Sequence, residues 1–204
     1  MARPREFDEA TVLDAAMQCF WAGGFEATST RELAERMRMT PASIYNAFGD
    51  KRALFRRALD HYIAQTLHKR IARVEGCPSP GAAITQFFSD VVERSLDDPQ
   101  RRGCLLVNSA VEASHDAEMR EALAGELDQY EAFFRRILAA AQATGEATTA
   151  VSAEDGARQL LATVLGIRVL CRVRPDRDLL AGAANAALTL LGLPSIPVAG
   201  TPPE

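Results

Sequence analysis

The chain has 204 residues, 48% apolar and 25% charged, which suits one or two packed globular domains. Its net charge of −4 speaks against an evenly basic nucleic-acid binder, and the scattered Cys19, Cys77, Cys104 and Cys171, with no C-x-x-C, argue against a zinc ribbon or a disulfide framework. No apolar run is long enough for a membrane and MARPREFDEA carries no signal segment, so a cytoplasmic protein is expected.

Apolar residues recur at helical spacing almost throughout, and no run alternates with period two for long, which predicts an all-α protein. Residues 1–6 form an arm whose Arg3 and Arg5 suit a minor groove or a phosphate, or simply fray. A first helix is expected from Phe7 or Asp8 to Trp21, with Val12, Leu13, Ala16, Met17, Phe20 and Trp21 inward and Cys19 exposed or half-buried. Gly23-Gly24 stop it, and Phe25 packs back on it. Ser29 and Glu32 form a capping box for a second helix, whose apolar face is Leu33, Ala34 and Met37. After the turn Arg38-Met39, Thr40 caps a third helix and Pro41 takes its first position. Ile44 and Phe48 face inward there, while Ala42, Ser43, Tyr45 and Asn46 face out. Gly49 ends it, and Asp50 caps a long helix that opens with Lys51 and runs to about Val74. On that helix Arg56, Arg57, Lys69, Arg70 and Arg73 read as a solvated face.

The loop 75–81 is dense in breakers. Helices are then expected over 82–96, 103–114, 116–144, 152–173 and 176–191, and the Pro-rich tail from Pro194 reads as disordered. In the last two helices, apolar residues spread round most of the circumference. Such helices need partners on more than one side: either burial within one chain or a two-fold four-helix interface.

A seven- or eight-residue helix is too short to stand alone in water. Held by neighbours, with small and polar groups outward, it has the form of a helix-turn-helix whose second helix enters a DNA major groove. Ser43 and Asn46 suit base edges, Pro41 and Ala42 permit close approach, and Thr40, Tyr45 and Lys51 suit phosphates. Thr30, Arg31 and Arg38 complete the candidate DNA-binding set, and Arg52 also stands where it can reach the DNA side. Charge supports this weakly. Through Arg57 there are nine Lys/Arg against eight Asp/Glu, a net of +1, and the remainder has fourteen against nineteen, a net of −5. The acidic remainder would be repelled by phosphates and so would point the head at the duplex.

The run VLDAAMQCFWAGGFEATSTRELAERMRMTPASIYNAFGDKRALF resembles the N-terminal domain of TetR-type transcriptional repressors. The matching features are Gly24-Phe25, Thr28-Ser29, Leu33-Ala34, Ser43-Ile44-Tyr45, Phe48, Lys51 and Leu54-Phe55. One departure is Arg38, at a turn position that the family often fills with Gly; a positive φ there would strain Arg by on the order of 1 kcal/mol. The resemblance implies a three-helix DNA-binding domain over 1–55 and a helical ligand-binding and dimerisation domain over 56–193, with 194–204 as the tail. It implies a homodimer through helices 152–173 and 176–191, a palindromic double-stranded operator, an unidentified small-molecule effector and no cofactor. It also makes the Asp50 helix the link between reading head and body.

Where polar groups enter apolar surroundings, the candidate effector residues are Phe88, Asn108, Glu112, Tyr130, Phe134 and Arg168. The plainer alternative pairs Glu112 with Arg168 or Arg120 as scaffold and leaves the aromatics as core. Cys104, at a helix start beside Arg101 and Arg102, is either a thiol sensor of oxidants or electrophiles or a small buried apolar residue. An enzyme has little support. His61, His68 and His115 gather no carboxylate or Cys, and no G-x-S-x-G, P-loop or dinucleotide fingerprint appears. The remaining rival, a helical protein-binding adaptor, predicts no sequence-specific DNA affinity.

Overall fold

A computed structural model describes residues 8–113 and 116–198. The Arg3/Arg5 arm, His115 and the chain after Val198 lie outside the described residues. All regular structure among them is helical. The head comprises α1 (Glu9–Gly23), α2 (Thr30–Met37), α3 (Pro41–Phe48) and the start of α4 (Lys51–Ile63). One π turn, Ala64–His68, carries α4 into α5 (Lys69–Val74), so the rod expected from Asp50 to Val74 exists but is not uniform. The body adds α6 (Pro80–Leu96), α7 (Leu105–Glu112), α8 (Ala117–Ala143), α9 (Ala153–Val173) and α10 (Arg177–Leu190).

The boundaries follow from capping chemistry. The side chains of Asp8, Ser29, Thr40, Asp50, Ser79, Asp116, Ser152 and Asp176 each accept a backbone N–H of the turn that follows. Helix α6 starts two residues before the expected position, because Ser79 caps it and Pro80 takes the first helical place, where its missing N–H costs nothing.

Helix α1 lies on α4 and α2, and α3 bridges α2 and α4. In the body α8 packs on α9 and α6, while α10 packs on α9 and α6. Short α7 is the wedge between the two parts, touching α1 and α4 on one side and α8 and α9 on the other. Helix α4 runs unbroken through the boundary expected at 55/56, so head and body share one rod. The head core joins Phe20, Phe25 and Phe55: Phe25 packs back on α1, its ring 6.2 Å from Phe20 and 5.1 Å from Phe55. The body core is aromatic, centred on Phe87 with Phe133 and Phe134 at 5.4 and 5.0 Å. A Cβ on Gly156 would overlap Leu138 Cδ2, so glycine there sets how closely α9 approaches α8.

Four expectations are corrected. Cys19 is buried, because α1 is covered by both α2 and α4 and its apolar face is wide. Arg70 is buried too, not on a solvated face. Arg57 is half-buried and pairs with Glu9, whereas Arg56 stays exposed and, with the exposed Arg52, reaches across to Glu118 and Asp116 at the start of α8, at 2.5 and 2.7 Å. The tail holds structure as far as Val198: Ile196 is buried, and its N–H and C=O are both bonded by the Asn185 amide at 2.8 and 3.0 Å.

One face is left uncovered. Val169 and Val173 on α9 are 50% and 72% exposed, and Leu190 on α10 is 54% exposed. Ala162 and Ala186 lie exposed on the same two helices, and a Cβ on Gly166 or Gly182 would meet nothing within 4 Å.

Candidate nucleic-acid interface

Helix α3 is fixed at both ends. Thr40 Oγ1 accepts the Ser43 N–H at 3.1 Å and lies 2.9 Å from Ser43 Oγ, and the Gly49 N–H returns to Tyr45 O at 2.9 Å. Ile44 and Phe48 are buried; Pro41, Ala42, Ser43, Tyr45 and Asn46 are exposed together on the outer side. Tyr45 Oη lies 3.4 Å from Thr30 Oγ1, which ties the reading helix to the first turn of α2. Arg31 is exposed and paired with Glu35 at 3.2 Å. Lys51 is half-buried: its Nζ donates to Glu26 O at 3.2 Å and sits 4.7 Å from the Phe25 ring centre, so it also braces the turn before α2.

Arg38 does adopt the left-handed conformation, φ 54° and ψ 40°, and its N–H closes the end of α2 on Ala34 and Glu35. Its side chain is exposed, so the strain lies in the backbone. Arg38→Gly is expected to stabilise the protein by about 1 kcal/mol, raising Tm by roughly 2–4 °C in thermal denaturation. An unchanged or lower Tm contradicts this.

The candidate effector residues do not form one cluster. Phe88 and Phe134 stack at 6.0 Å in the body core, fully buried. Asn108 donates to Arg102 O and accepts from Arg172, both at 2.9 Å. Glu112 meets neither Arg168 nor the body interior but the head: its Oε2 accepts the Phe25 N–H at 2.7 Å. Gly24 makes that bond possible, because its φ of 80° and ψ of 172° belong to glycine and a Cβ there would fall on the Glu112 carboxylate. Tyr130, Cys104 and Arg168 do meet. With Tyr62, Thr66 and Arg70 they wall a small enclosed chamber between α4, α5, α7, α8 and α9. Arg102, beside Cys104 in sequence, turns away to Asp98, Gln18 and the Trp21 ring.

Thr66, Arg70 and Arg168 also line an adjoining open groove of about 570 Å³, whose wall includes Trp21 of α1 and Asp98 and Arg102 of the body. The groove therefore touches the head. Sequence reading missed Tyr62, Arg70 and Trp21 as site residues. The signal that could have found them is their spacing along one rod face and Trp21 at the end of α1. No group of three or more His, Cys, Asp or Glu side chains among the described residues is placed to hold a metal.

A short reading helix exposed behind a capped turn, carried on a rod that enters a helical body with an internal chamber, defines a helix-turn-helix regulator. The comparisons with known proteins say which. Residues 12–58 match the family of bacterial regulatory proteins of the tetR type, and residues 80–187 match the tetracyclin repressor-like C-terminal domain. The chain is 32% identical over 196 residues to the HTH-type transcriptional regulator YezE of Bacillus subtilis, covering 94% of this chain and all of that one. It is 28% identical to the transcriptional repressor ComR of Escherichia coli, over 92% of this chain and 90% of that one. Among solved structures, a cysteine-substituted CifR complexed with 26-base-pair double-strand operator DNA superposes with a TM-score of 0.82 at 32% identity, covering 93% of this chain and 100% of that one. This chain belongs to the TetR family of DNA-binding transcriptional regulators and is not an enzyme.

Proposed function

We propose that the protein is a repressor that lets go of a palindromic operator when a small molecule binds in the body. Two protomers pair through the uncovered faces of α9 and α10 and place two α3 helices in successive major grooves, roughly 34 Å apart or somewhat more. The observation that carries the reading is the groove shared by α1, the α4–α5 rod and the body. A ligand there touches head and body at once. A coupling of about 1–3 kcal/mol, 5- to 150-fold in affinity, is enough for release.

Within the head, Ser43 and Asn46 read bases, while Pro41 and Ala42 let the helix approach. Thr30, Arg31, Arg38, Thr40, Tyr45 and Lys51 hold phosphates. The test is a gel shift on DNA upstream of the protein's own gene, against random DNA. Lys51→Ala is expected to weaken both alike and to flatten the salt slope by about one unit. Asn46→Ala is expected to lower preference for the specific site and spare random DNA. Equal losses from both variants on both DNAs contradict these roles, and absence of any specific shift contradicts DNA recognition.

Cys104 is the second candidate for signal input. It is 6% exposed and faces the Tyr62 hydroxyl, which favours a place in the chamber wall over a reactive surface thiol. Rapid alkylation of Cys104 in native protein at neutral pH would favour thiol sensing instead.

A further inference from the structure

The chamber holds two buried cations and no anion. Arg70 is 6% exposed and Arg168 9%. Arg168 donates to Ser95 Oγ at 2.9 Å and to Gly103 O at 2.8 Å, both neutral acceptors. Arg70 lies 5.1 Å from the Phe87 ring centre, and its Nε has no hydrogen-bond partner. The ionisable groups acting on Arg70 are Tyr130, Arg168, Tyr62 and Arg94, with no carboxylate among them. Burial lowers the proton affinity of Arg70, and the Arg168 charge adds to that effect. A guanidinium kept this way is costly unless an anion completes it.

The Tyr62 and Tyr130 hydroxyls face Arg168 and Arg70, each with its oxygen toward a guanidinium and a proton still to donate. Burial pushes the Tyr130 hydroxyl up to about 12 and raises Tyr62 further, so both keep their protons at neutral pH. On the groove wall the buried Trp21 Nε1 likewise lacks a partner. The acids at the groove mouth are mostly engaged: Asp90 with Arg73, Glu93 with Arg177, Asp98 with Arg102. With Asp97 these acids stand on the same wall as Arg73, Arg94 and Arg102, so the mouth is close to charge balance and the excess positive charge lies inside, at Arg70 and Arg168.

Resting on the effector reading above, we propose that the effector is a small organic monocarboxylate. Its carboxylate sits in the chamber between Arg70 and Arg168, accepting also from Tyr62 and Tyr130, and its body lies in the groove under Trp21. The chamber has room for about 20 Å³, the scale of one water, so it takes a head group and no more. Planar carboxylate matches the guanidinium fork. A neutral ligand leaves both charges uncompensated. The π turn Ala64–His68 lies between Tyr62 and Arg70, so occupancy acts on the segment that joins head to body.

Trp21 is the single tryptophan of the chain, so intrinsic fluorescence reports the groove. The probes are acetate, octanoate and benzoate, with benzamide as neutral match and phenyl phosphate as the dianion. A saturable change with at least one carboxylate, none with benzamide and a weaker one with phenyl phosphate are expected. Arg70→Met is expected to weaken the carboxylate response at least tenfold while the ligand-free variant melts no lower than wild type; Arg168→Lys gives an independent loss of response. An equal response to benzamide and benzoate, no response to any carboxylate, or tighter binding of phenyl phosphate overturns the proposal. So does a fall of several degrees in the melting of Arg70→Met, which would make Arg70 scaffold. Operator binding is followed in parallel. If it persists and carboxylates have no effect, only the anion assignment fails; if no operator binding exists, the functional reading fails with it.

Discussion

Val169→Glu combined with Ala186→Glu is expected to leave a folded monomer whose operator affinity has fallen by about 10²- to 10⁴-fold. Both positions are exposed in the single chain, so charge there costs the protomer little. In a two-fold pair through the proposed α9 and α10 faces, both copies of each position would fall in the same seam, so four added carboxylates would crowd it away from water. Loss of pairing turns the second half-site contact from an intramolecular event into a bimolecular one, which removes the avidity of two linked heads. Light scattering after size exclusion reads the mass, and a gel shift reads the affinity. A dimer that persists with full operator affinity would move the interface away from α9 and α10.

The second large effect concerns stability. Phe87→Ala is expected to cost about 3–5 kcal/mol, read by urea or thermal denaturation as a Tm lower by on the order of 10 °C. Phe87 is fully buried on α6 and is the ring that Phe88, Phe133, Phe134 and Tyr130 surround at 5.0–6.5 Å. The four surrounding rings cannot collapse into the vacated volume without leaving their rotamers, so most of the cavity remains. Arg70 also stacks on Phe87, so the truncation should blunt any carboxylate response as well. A loss under about 1 kcal/mol would mean that this core is far looser than its contacts imply.

Nearly every helix end was legible, because caps are local chemistry: Ser29, Thr40, Asp50, Ser152 and Asp176 act on amides three residues away. The outward set on α3 was legible for the same reason, since spacing alone separates Ile44 and Phe48 from Ser43 and Asn46. Arg70 shows where such reading stops. It stands three residues after Leu67 and four before Val74, on the buried side by period, but its charge argued for solvent. Periodicity was the better guide, and only the folded chain shows that the charge belongs to a chamber. Glu112 was misplaced because its partner is 87 residues away in the head, a pairing no local pattern encodes. Ile196 was lost in a Pro-rich tail whose composition hides one anchoring side chain.

Beside the shared α4 rod and the wedge of α7, the head is moored to the body by polar tethers: Glu112 on the Phe25 amide, Arg52 on Asp116 and Arg56 on Glu118. Half-exposed ion pairs of this kind are worth at most about 1 kcal/mol each and fade as electrolyte rises. Ionic strength therefore acts on this regulator in two places, shielding the phosphates from outside and slackening the moorings from within. Part of the salt sensitivity of its grip on DNA then belongs to the protein's own posture and not to counterions shed from the duplex.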